Sequence, residues 1–71
     1  MTDNEIIRSI RVQLGFTQKE FGRRLHITQG AVSHWERGLA YPSITIATKI
    51  AKMAEKKGLY FSPKQLRGDH G

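Results

Sequence analysis

The chain has no cysteine. That excludes a disulfide framework and any cysteine-ligated zinc finger, two common ways of holding a small domain together. Histidine offers no substitute, because His26, His34 and His70 lack zinc-ligand spacing. Neither a metal site nor a cofactor is therefore expected. Acidic residues are few, six against twelve lysines and arginines. Glu20, Glu36 and Glu55 are scattered through different segments, so there are no paired carboxylates for acid–base chemistry. No nucleophile–base arrangement appears either, and an enzyme is not expected. Long apolar runs are missing too: nothing approaches the roughly 20 residues of a membrane span. The amino terminus lacks the basic segment and apolar stretch of a signal peptide. The expectation is an intact cytoplasmic protein with no membrane or small-molecule partner.

What remains is short, basic and helical in pattern. Seventy-one residues make one domain, with its core expected over about 4–67 and a frayed end at 68–71. A chain of this size buries only roughly 60% of the surface its unfolded form exposes. Stability must come from helix packing, helped by dimerisation. The net charge is +6 and the isoelectric point about 10.2, the electrostatic footprint of a nucleic-acid binder. Asp3 and Asp69 lie near the termini, so the middle of the chain is more basic still.

The apolar spacing predicts five helices. Ile7, Ile10 and Leu14 form a helical stripe over residues 4–14, with Thr2, Asp3 or Asn4 as its cap and Gly15 as its stop. Thr17 and Glu20 make a capping box for a helix over about 18–25, whose buried stripe is Phe21 and Leu25. Gly22, beside Phe21, permits close approach of another helix. Thr28 caps a third helix over about 29–37, with Val32 and Trp35 facing inward and Gly38 ending it. Pro42 and Ser43 open a fourth over about 43–57, with Ile44, Ala47, Ile50, Ala51 and Ala54 as its apolar face and Gly58 as its end. Ser62, Pro63 and Gln65 form a start signal for a short last helix. The run Leu59-Tyr60-Phe61 is the one strand-like piece.

Two helix starts about eleven residues apart, a short turn near His26 and the apolar set Phe21, Leu25, Ile27, Val32 and Trp35 coincide between Thr17 and Gly38. Such an arrangement leaves one face of the third helix free, bearing Gln29, Gly30, Ser33, His34 and Arg37. A helix presented in this way can enter the DNA major groove, about 12 Å wide. With Ile10-Arg11, Gly15, Thr17-Gln18, Phe21-Gly22, Leu25, Ile27-Thr28-Gln29, Val32-Ser33, Trp35-Glu36, Gly38 and Pro42-Ser43 in register, the chain resembles the phage Cro/repressor helix-turn-helix family over roughly residues 6–54.

The resemblance implies an all-α, compact five-helix bundle and a sequence-specific DNA-binding regulator. The form most expected is a Cro-like repressor that occludes a promoter by binding a palindromic operator as a homodimer. It implies base contacts by Gln29, Gly30, Ser33 and His34, and backbone contacts by Thr17, Gln18, Lys19 and Arg37. Gln29 can pair in bidentate fashion with adenine. Gln18 resembles the family's phosphate-binding glutamine, and the two glutamines can buttress each other. Arg11 and Glu36 match a structural ion pair between the first and third helices. Trp35 is expected in the core. Arg23 and Arg24 either extend the positive charge or are simply solvated.

The chain departs from the family pattern in several places. Gly30 replaces a longer polar residue. His26 occupies a turn where glycine is common because φ is positive. The fourth helix is expected to run about a turn longer than usual. Leu39-Ala40-Tyr41 is apolar where relatives often carry basic residues. That loop suits packing on the fourth helix or a partner, and it favours one alternative: the DNA-binding antitoxin of a toxin–antitoxin pair. Tyr60, Phe61 and Leu66 are candidate dimer contacts, against the alternative that they pack over the base of their own bundle.

Overall fold

The computed structural model describes residues 3–67, with side chains from Glu5 onward. Among these residues it is all-helical: α1 (Asp3–Gln13), α2 (Gln18–Leu25), α3 (Gln29–Glu36), α4 (Ile44–Glu55) and α5 (Pro63–Arg67). None of these helices is long and apolar enough to cross a membrane. The expected cap at Thr2 and the expected frayed end at 68–71 lie outside the described residues. Asp3 and Asn4 fall within α1.

Each helix boundary has a local cause. α1 stops because Gly15 turns to φ 79°, which lets its N–H reach Val12 O and the next N–H reach Arg11 O. At the start of α2, Thr17 Oγ1 accepts from the Glu20 N–H at 3.1 Å, and Glu20 Oε1 accepts from the Thr17 N–H at 2.9 Å. This reciprocal box satisfies donors that a helix start otherwise leaves open. α2 ends on His26, which adopts φ 59° and ψ 42° in place of the usual glycine. Thr28 then caps α3 through the Ala31 N–H, and Ser43 caps α4 through the Ile46 N–H. A second capping box links Ser62 and Gln65 at α5.

The core joins all five helices. Ile7, Ile10, Phe21, Leu25, Val32, Trp35, Ala47, Ile50, Ala51, Ala54 and Leu66 are buried. Burial of these side chains, at roughly 25 cal/mol per Å² of apolar surface, is the main force that holds short helices which would be marginal alone. Gly22 serves the packing in a specific way. A Cβ placed there would lie 2.9 Å from Ile27 O and 3.2 Å from Thr28 C. The close approach is therefore by the backbone of the turn into α3, rather than by the body of another helix.

Several expectations are corrected. α4 runs from Ile44 to Glu55, so Ser43 is its cap and residues 56–58 form a turn. Ile44 is 46% exposed, because the same first turn directs Ile46 and Ala47 to the core and leaves Ile44 on its outer side. No strand forms at Leu59-Tyr60-Phe61. Leu59 and Phe61 lean on the core while Tyr60 points outward. Leu66 is fully buried in its own bundle, so it is not a dimer contact. Its place four residues after Ser62, on the inner side of α5, turns it inward.

Candidate nucleic-acid interface

α2 and α3 meet at the turn 26–28, where the Ile27 N–H bonds Gly22 O at 2.8 Å. Phe21 and Leu25 of α2 and Val32 and Trp35 of α3 are buried, which fixes the inner faces of both helices. Trp35 thus belongs to the core and is not free to stack on a base. The outer face of α3 carries Gln29, Gly30 and His34, all exposed, with Ser33 half-buried between them. Nothing crowds Gly30: a Cβ there would meet only Thr28 Oγ1, at 3.8 Å. Arg37 is exposed and caps the C-terminus of α3.

The N-terminus of α2 is brought to the C-terminal end of α3 by the hydrogen bond that Gln18 Nε2 donates to Glu36 Oε1. Thr17 and Lys19 are exposed, and Gln18 is half-buried. The Thr17 hydroxyl oxygen is engaged by the Glu20 N–H, while the N–H groups of Gln18 and Lys19 remain open at the positive end of the helix dipole. Hydrogen bonds from the Thr17 backbone, then from its hydroxyl, hold the Glu20 carboxyl below its ordinary value of 4.5, and Arg23 and Arg24 add to this. Glu20 is accordingly charged at neutral pH and tied into the cap.

Behind the face stands a polar junction. Arg11 Nε donates to Glu36 Oε2 at 2.7 Å, and Arg11 Nη2 donates to Glu36 Oε1 at 3.2 Å. The two side chains are only 13% and 6% exposed. Such a two-point guanidinium–carboxylate pair is directional as well as attractive. It hides the single acid of α3 and ties that helix to α1. Arg11 Nη1 also donates to Phe16 O at 2.8 Å, which anchors the loop between α1 and α2.

Three of these contacts were not read from sequence. Gln18 Nε2 donates to Glu36 Oε1 at 3.2 Å, and no hydrogen bond joins Gln18 to Gln29. The Arg24 guanidinium sits 5.3 Å from the centre of the Phe16 ring, a cation–π arrangement, so it is stacked rather than simply solvated. The third is the Arg11 bond to Phe16 O. A donor or cation at each of these positions was visible (Gln18, Arg24 and Arg11), but which acceptor or ring it finds depends on how the chain folds back.

A helix-turn-helix family model matches residues 7–59. The match takes in α2, the turn and α3 together with most of α1 and all of α4. A search of curated proteins and a search of solved structures each found no match. The family match defines a DNA-binding transcriptional regulator and not an enzyme. The chain belongs to the helix-turn-helix family of the Cro/repressor type.

Proposed function

We propose that the chain is a repressor that binds a palindromic operator as a homodimer and acts in the cytoplasm. The observation that carries this reading is the outer face of α3, where Gln29, Gly30 and His34 stand exposed on a helix locked from behind by Arg11 and Glu36. Gln29 is the first helical residue, and its amide suits the paired donor and acceptor of adenine. Ser33 and His34 read one turn further along. Thr17, Gln18, Lys19 and Arg37 take phosphates on either side, with the open N–H groups of α2 adding to the grip. Two copies read half-sites about 34 Å apart. Tyr60, 75% exposed, with half-buried Phe61 beside it, is the contact between them.

Binding of the wild type and Gln29→Ala to a selected site and to random duplex tests this reading. Gln29→Ala lowers affinity for the selected site by roughly fivefold to a hundredfold and leaves random DNA unchanged. Equal losses on both remove the base-reading role.

One observation favours a second reading, the antitoxin. Leu39 is 63% exposed and Tyr41 47%, which leaves an apolar surface just beyond α3 that suits a protein partner. A toxin-like reading frame beside the gene, whose product binds this chain, decides for it.

A further inference from the structure

The α2–α3 unit has the form of a triangle with one side missing from the chain. Its apex is the turn 26–28, and its arms are α2 and α3. Gln18 is the first residue of α2 and Glu36 the last of α3, so each stands at the far end of its arm. At 1.5 Å per residue each arm is about 10 Å long. The hydrogen bond from Gln18 Nε2 to Glu36 Oε1, at 3.2 Å, closes the third side. The same carboxylate oxygen accepts from Arg11 Nη2, also at 3.2 Å. Glu36 is therefore held from α1 and from α2 at once.

The two ties do different things. The Arg11 bonds include the short one, 2.7 Å, and carry most of the attraction. The Gln18 bond is longer, but it alone spans the opening between α2 and α3. At the apex, packing already fixes the backbone, since no atom larger than hydrogen fits at Gly22 without meeting Ile27 O at 2.9 Å. At the open end a change of tilt has its greatest effect. A rotation of about 10° displaces the far end of a 10 Å arm by about 2 Å, more than the tolerance of a base-edge hydrogen bond. Ser33 and His34 lie in that far half, while Gln29 lies at the apex.

We propose that Gln18 is a positioning residue for base reading. Through Glu36 it sets the angle at which the distal half of α3 meets the groove. Its amide is thus spent within the protein, not on bracing Gln29. One amide proton remains for a phosphate, so DNA contact and helix angle are joined in one side chain. This inference rests on the DNA-reading function proposed above.

The test uses the full chain with Gln18→Met, which keeps length and loses the donor, and Gln18→Lys, which keeps a donor for Glu36. Binding is measured to the selected site, to its single-base-pair variants and to random duplex. Thermal unfolding verifies that each variant is folded. The expected result for Gln18→Met is about a tenfold loss of preference for the selected site over random DNA, concentrated at base pairs read by Ser33 and His34. Gln18→Lys retains the preference. In the free protein, the Arg11 Nε–H resonance shifts in Gln18→Met, because Glu36 has lost one of its donors; a phosphate contact alone leaves it in place. Equal losses on selected and random DNA overturn the proposal, as does a Gln18→Lys variant no better than Gln18→Met. If the wild type itself prefers no sequence, the DNA-reading function falls first and this role falls with it.

Discussion

Glu36 is an acid placed just behind the surface proposed to meet phosphates, and it is tolerable there because Arg11 neutralises it. The pair is nearly buried, so removal of one partner strands the other charge. Glu36→Ala is expected to cost about 3–5 kcal/mol, read as a lower urea midpoint. Joint replacement of both residues by apolar ones should cost less, since nothing charged is then left unpaired. This ion pair was legible in the sequence, because Arg11 and Glu36 fall at matching family positions. The share that Gln18 takes in it was not, because its partner depends on the angle between two helices and no local pattern encodes that angle. Gly22 was legible only in part. A small residue beside Phe21 signals close approach, but the approaching group is the backbone at Ile27 and Thr28, which spacing alone does not identify.

At the scale of the element, caps were the most legible feature because they are local. Thr17 with Glu20, Thr28, Ser43 and Ser62 with Gln65 all sit where hydrogen-bonding side chains precede apolar periodicity, and all bond as that pattern predicts. Helix phase at the ends was less legible. Ile44 fits the apolar face of α4 by period, yet Ile46 and Ala47 of the same turn take the inner side and leave it exposed. The cap of α2 has a pH signature. The folded pKa of Glu20 is lowered, so its contribution is present above the ordinary value of 4.5 and is lost as pH falls through the lowered one. Glu20→Gln should flatten that part of the stability profile, as measured by urea unfolding from pH 6 down to about 2. In α3 the exposed Gly30 weakens the helix, and an added methyl would meet only Thr28 Oγ1, in ordinary contact at 3.8 Å. Gly30→Ala should raise stability by up to about 1 kcal/mol. A simultaneous fall in affinity for the selected site would show that the DNA needs the missing methyl's room.

At the scale of the molecule, a charge of +6 on 71 residues favours polyanions and opposes self-association away from them. The amino-acid pattern made fold class legible, since five capped amphipathic segments with only one short strand-like run, Leu59-Tyr60-Phe61, leave few alternatives to a bundle. It was less able to separate a surface from a core at the carboxy-terminal end. Leu66 reads equally as an exposed apolar contact and as a plug, and only the docking of α5 decides for the plug. That leaves Tyr60 exposed there, and Leu39, Tyr41 and Ile44 beyond α3. The central claim, that two copies read DNA through α3, is tested most directly by selecting bound duplexes from a random pool with the full chain. The account predicts a palindromic motif with half-sites about 34 Å apart. Recovery of sequences with no common motif would contradict it.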